Sequence, residues 1–191
     1  MEMPRAMMFI DGENLCMRYQ ALLAEGKTPK ADVQHEEDCY VWHGDMTATG
    51  FFNFSRVNYY TSVVGDDEKV SKLKETMGRI KFICQPETRP AGSSIRASLA
   101  QIVPFVFKKD AKSRKSRNVD IAIIIDIMRH SYSNMVDLIF LVSGDGDYLP
   151  LIKEVMRHGK RVYAGAFSSG LNRQIPYSVD HFFELDKYFF K

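Results

Sequence analysis

Short continuous apolar runs alternate with helically spaced apolar positions along most of the chain. "RAMMFI" (5–10) reads as a buried strand. In "DGENLCMRYQALLAEG" (11–26), Leu15, Tyr19, Leu22 and Leu23 recur at helical spacing and Gly26 supplies a stop. Residues 27–50 show no clear period; they are polar, with Tyr40 and Trp42 embedded, and read as a loop or hairpin insertion. "RVNYYTSVV" (56–64) has the β-branched and aromatic content of a strand. Asp66-Asp67-Glu68 suits the first turn of a helix over 67–78, where anions oppose the helix dipole. "RIKFICQ" (79–85) predicts a third strand. Residues 86–117 hold the apolar patch "IVPFVF" and a basic run, and Pro104 argues against a central strand there. A helix over about 119–132, a strand at 138–142, a helix at 148–158 capped by Gly159, and strands at 161–167 and 181–185 complete the pattern. No internal repeat or low-complexity tract interrupts it.

Alternation of strands and helices implies an α/β fold: a doubly wound, mainly parallel central sheet with helices on both faces. A single domain over 1–191 is expected, with insertions at 27–54 and 86–117. Right-handed crossovers then bring the C-terminal ends of the strands to one edge, where ligands collect beside a reversal of strand order. Asp11 follows the first strand, Asp145 and Asp147 follow "LIFLV", and Asp120 opens the helix after the basic segment. If the strands ending at 10 and 142 are neighbours, these acids face one crevice. Carboxylates crowded together raise one another's pKa, and a divalent cation relieves the conflict. Oxygen ligands suit Mg²⁺ or Mn²⁺, which keep open or water-filled positions for attack on a phosphodiester. Each acid also has a structural alternative: Asp11 and Asp120 as helix starts, Asp147 as an N-cap with Pro150 tolerated in the first turn. Gly144 and Gly146 permit tight turns beside the acids. Asp126 lies six residues after Asp120, about 240° around a helix, and is expected either to be structural or to support the residues of the site from behind.

Charge changes the picture locally more than globally. The net charge is +2, but Lys108, Lys109, Lys112, Arg114, Lys115 and Arg117 form a basic run just before Asp120. Such a run is either a solvated loop or a contact for phosphates. Tyr40, Trp42, Phe51, Phe52 and above all Tyr148 are candidates for stacking on unpaired bases. Three cysteines, Cys16, Cys39 and Cys84, have no C-x-x-C pair, which fits a reducing compartment. Five scattered histidines lack zinc spacing, and His130 and His158 sit near expected helix C-termini. No run reaches membrane-spanning length and the N-terminus has no room for a signal core, so a soluble cytoplasmic protein is expected. Glycine-rich nucleotide loops are absent. Asp145-Gly146-Asp147 mimics the D-x-D of haloacid-dehalogenase phosphatases, but Leu149 stands where that motif wants Thr or Val, and too little chain follows.

"FIDGENL" (9–15), "NVDIAIIIDIM" (118–128) and "LVSGDGDYLPLIKEVMRHGKRVYAGAF" (141–167) together resemble the NYN domain, specifically its LabA-like branch within the PIN-like nuclease superfamily. The resemblance implies a PIN-like sheet and a metal-dependent ribonuclease site. Asp11, Asp120, Asp145 and Asp147 would surround Mg²⁺ or Mn²⁺, with Asn14 and Ser143 positioning ligands or substrate. Single-stranded RNA is the implied partner, and a homodimer is compatible with the resemblance. Arg117-Asn118 stands where many relatives have Lys-Gly, leaving Arg117 or Lys115 to replace that charge. The rival from another class is a non-catalytic RNA- or protein-binding module that keeps the PIN-like shell.

Overall fold

In the computed structural model, which describes residues 4–48, 53–86, 97–109, 117–133 and 135–191, the chain runs β1 (Arg5–Asp11), α1 (Gly12–Ala24), a hairpin of β2 (Gln34–Glu36) and β3 (Tyr40–Trp42), β4 (Asn53–Val63) and α2 (Asp67–Gly78). It continues through β5 (Lys81–Pro86), β6 (Ala97–Gln101), β7 (Val103–Lys108), α3 (Arg117–Tyr132), β8 (Leu138–Val142), α4 (Leu149–Arg157), β9 (Arg161–Ala166), α5 (Ile175–Ser178), β10 (His181–Glu184) and α6 (Asp186–Phe189). Six strands form the main sheet in the order β10-β9-β8-β1-β4-β7, and every pairing in it is parallel.

Burial on both faces explains the continuous apolar runs. In β1, Ala6, Met8 and Ile10 enter one core with Leu15, Tyr19 and Leu22 of α1 and Leu73 and Met77 of α2. Met7 and Phe9 alternate to the opposite core, with Val119, Ile123 and Ile127 of α3 and Leu151, Ile152 and Val155 of α4. β8 divides in the same way, Leu138, Phe140 and Val142 against Ile139 and Leu141. The sheet is therefore doubly wound. The chain fills β1, β4 and β7 on one side, then crosses back to β8, β9 and β10 on the other. The strand order reverses between β1 and β8, which pair from Ala6↔Leu138 to Ile10↔Val142.

Two expectations change. The strand over 79–85 exists as β5 but pairs antiparallel with β6 in a separate two-stranded sheet. Its place beside β4 is taken by β7, from the region set aside as an insertion. β7 is an edge strand, which is where Pro104, lacking an N–H, can be accommodated. Tyr40 and Trp42 are buried in the core beneath the 34–42 hairpin, so neither offers a ring face to a base. Phe51 and Phe52 lie outside the described residues. Among the described residues, no helix is long and apolar enough to cross a membrane.

Candidate active site

β1 delivers Asp11 to the C-terminal edge of the sheet, where it also caps α1. Its Oδ1 accepts the Asn14 N–H at 3.0 Å, so the structural role and a place in the crevice coincide in one residue. Its Oδ2 accepts from the Ser143 hydroxyl at 3.0 Å and faces the Tyr148 hydroxyl at 3.4 Å. Asp11 is fully buried, and these donors fix its carboxylate.

Asn14, one turn into α1, ties the helix to the neighbouring strand end: its Oδ1 accepts the Gly144 N–H at 3.2 Å. Ser143 does double duty, donating to Asp11 while its Oγ accepts the Asp145 N–H at 3.2 Å. Asp145 caps the short 3-10 turn Gly146–Tyr148 by accepting the Asp147 N–H at 3.1 Å. That turn points the ring of Tyr148 inward.

Tyr148 is corrected here. Its ring is 1 % exposed and packs in the core beside α3 and α4, so it cannot stack on a base. Its hydroxyl instead reaches Asp120 Oδ1 at 3.0 Å as well as Asp11. Burial first, then the negative charges of Asp11 and Asp120, hold the phenol neutral far above its ordinary range. It therefore remains a donor between two carboxylates. Asp120 is half-buried in the first turn of α3, and the charge of Asp145 also acts on the phenol. Asp11, Asn14, Asp120, Ser143, Asp145 and Tyr148 thus meet at the β1/β8 switch point.

Other candidates stand apart. Asp147 is exposed, and α4 begins at Leu149 without a side-chain cap, so Asp147 does not serve that helix as an N-cap. Lys108 reaches exposed Asp67 at 3.3 Å, a pair worth little. Lys109 turns inward to Glu13 at 3.4 Å, and Glu13 also accepts from Ser62. Arg117 is exposed at the start of α3, while Lys112, Arg114 and Lys115 lie outside the described residues. Asp126 is structural, as expected: it accepts from the Tyr60 hydroxyl at 2.7 Å and pairs with Arg129 at 2.5 Å, joining α3 to β4.

The loop after β9 supplies residues that sequence reasoning missed. Asn172 N–H donates to the Gly144 carbonyl at 2.9 Å, and a Cβ on Gly146 would fall on the Asn172 amide. Gly170, at φ +62°, lies over the guanidinium of Arg18 from α1. Arg18 had one legible signal, its i+4 relation to Asn14.

Among the described residues, no three His, Cys, Asp or Glu side chains are grouped to hold a metal ion. Mg²⁺, however, is commonly held by one or two carboxylates with several waters. Asp11 and Asp120, drawn to one hydroxyl, have the hard-oxygen chemistry for that role.

The family profile of the NYN domain matches residues 5–186. A crystal structure of a protein of unknown function from Vibrio parahaemolyticus is similar in fold, with a TM-score of 0.59 at 17 % identity, over 99 % of this chain and 97 % of that one. None of the curated proteins matches this chain.

Proposed function

We propose, on the premise that this chain belongs to the NYN domain family and with it to the PIN-like nuclease superfamily, that it is a Mg²⁺- or Mn²⁺-dependent ribonuclease of the LabA-like branch, acting on single-stranded RNA in the cytoplasm. The observation that carries this reading is the meeting of Asp11 and Asp120 at one buried hydroxyl on the β1/β8 switch point.

Asp11 and Asp120 would hold the metal, with Asp145 adding negative charge at the rim. The bound cation would supply charge for a developing phosphorane and lower the pKa of an attacking water. The rest falls to the chain. Ser143 and the Asn14 N–H keep Asp11 from rotating. Tyr148 does the same for Asp120. Asp147, which is exposed, would accept a proton from water. Hydrolysis would break a P–O bond and leave one phosphate-ended and one hydroxyl-ended fragment.

The rival reading, a non-catalytic RNA- or protein-binding module, draws on the same Asp11. Its complete burial and three hydroxyl or amide donors also describe a satisfied structural carboxylate. Cleavage of labelled single-stranded RNA with Mn²⁺, Mg²⁺ or EDTA separates them. Wild-type cutting that needs metal and falls by at least about a hundredfold in Asp120→Asn supports the nuclease. RNA binding without cutting, equal in both proteins, supports the module.

A further inference from the structure

A cation at the acidic crevice would hold one phosphate, but the crevice does not account for the arginine farther along the same helix. Arg18 belongs to α1, four residues after Asn14 and seven after Asp11, so the three lie along one side of the helix start. The Arg18 guanidinium lies under Gly170 of the loop after β9, whose Asn172 N–H meets the same Gly144 that Asn14 holds. Two donors on this side are buried without an acceptor: Asn14 Nδ2 and Arg18 Nε. Buried donors are nearly always satisfied, and a pair of orphans one turn apart calls for an explanation.

The loop after β9 is shaped around that guanidinium. Gly170 has a left-handed φ of +62°, and a Cβ there would overlap Arg18 Cζ, Nε and Nη1. Two independent demands, backbone angle and space, therefore fall on one glycine. The loop is held against the acidic site by the Asn172 N–H on the Gly144 carbonyl. Asn172 Oδ1 is committed to the Gln174 N–H at 2.9 Å, which turns Nδ2 against Gly146, between Asp145 and Asp147. Ser168 and Gly170 are exposed, so this mouth opens at the surface. Among the described residues Arg18 is one of several arginines without a carboxylate partner, but of the arginines it alone has a buried nitrogen, Nε, without an acceptor.

We propose that Arg18, with Asn14 and Asn172 where both meet Gly144, is a subsite for a backbone phosphate of a nucleic-acid strand, next to the phosphate that a cation at Asp11 and Asp120 would engage. A guanidinium supplies planar, paired donors that match phosphate oxygens, and an anion here answers a cation that has no carboxylate partner among the described residues. The subsite lies on the α1 side of the crevice. It rests on the reading of RNA as the ligand, and it sets the path of the strand: across the end of β8 and under the loop after β9.

The test is equilibrium binding of a fluorescein-labelled single-stranded oligoribonucleotide in EDTA, followed by anisotropy across a range of KCl. Arg18→Met is expected to weaken binding about tenfold. It should also lower the slope of log K against log salt by about 0.7, one single-strand phosphate contact. Arg18→Lys should restore the slope but only part of the affinity. A Mn²⁺ titration followed by thermal shift should be the same in wild type and Arg18→Met. Where Arg18→Met does not fold, Arg18→Gln keeps a polar tip under the loop and takes its place. Unchanged affinity and slope in the folded variant overturn the subsite, as does a wild type that binds no RNA. A wild type that binds through Arg18 yet never cuts RNA with metal overturns the nuclease and leaves the subsite standing.

Discussion

Tyr148 shows how one atom can set a site. Its ring contributes to the core as any aromatic would, and a phenylalanine would fill the same space. The hydroxyl is what differs: it lies 3.0 Å from Asp120 and 3.4 Å from Asp11, on elements more than a hundred residues apart in sequence. Because burial and both carboxylates keep the phenol protonated, the donor persists at every working pH. Tyr148→Phe is expected to cost about 1–3 kcal/mol, since it removes a buried hydroxyl donor from between two carboxylates. A drop of about 2–4 °C in melting midpoint per kcal/mol should follow. Circular dichroism melts check this, and a variant that melts with wild type would show the hydroxyl to be a bystander. The sequence places Tyr148 next to the acids but not its direction. Residue 148 ends a 3-10 turn, where the 3.6-residue period that sorts helical side chains does not apply.

At the scale of elements, the site depends on how closely α1 approaches the sheet. Gly12 begins the helix immediately after Asp11, and a Cβ there would overlap Tyr59 Cε1 and lie 2.6 Å from the Tyr60 carbonyl oxygen. Tyr59 cannot yield, because its hydroxyl is fixed to the backbone of Val41 through 3.1 Å contacts with both N–H and carbonyl. Gly12→Ala should therefore destabilise by about 1–3 kcal/mol through overpacking. Gly78→Ala, at the end of α2 with nothing within 4 Å, should melt at or above wild type. Comparable losses in both variants would mean that close approach is not the cause. β1, β8, α3 and α4 were legible because burial on both faces writes a continuous apolar run and a packed helix writes a period. β5 and β7 were not told apart in the same way. Both runs are short and apolar, and which one joins β4 is decided by pairing across the sheet, which no local pattern records. The loop after β9 was equally silent, since Gly170 and Asn172 gain meaning only against Arg18 and Gly146.

For the whole molecule, the decisive feature is that the two halves of the sheet meet along β1 and β8. At the edge opposite the acids, Arg5 grips Asp137 with its backbone N–H at 2.9 Å, Nε at 3.1 Å and Nη2 at 2.9 Å. These side-chain and backbone hydrogen bonds from Arg5 hold the Asp137 carboxyl down at about 2, against an ordinary 3.8. A carboxyl depressed on folding binds fewer protons when folded than when unfolded. Its stabilisation is therefore present above about pH 4 and is lost as pH falls through about 2. Since both side chains are nearly half exposed, 47 % and 46 %, the pair is worth at most about 1 kcal/mol. The melting difference between wild type and Asp137→Asn should be level above about pH 5 and shrink toward pH 2. A difference that grows on acidification would reverse the sign and reject the assignment. The sequence could bring Asp11 and Asp145 to one edge only on the condition that β1 and β8 are neighbours, a condition the strand order meets, while Asp120 enters from the start of α3 rather than from a strand end. The same strand order governs how the protein is made. β4 can join β1 once residue 63 is synthesised, but the other side of β1 waits for residue 142, roughly 4–16 s later at ordinary synthesis rates. Through that interval a growing chain, tethered to a ribosome that is itself largely RNA, carries Asp11 with neither Ser143 nor Asp145 beside it. The acidic cluster is thus completed last, when the second half of the sheet joins the first along β8.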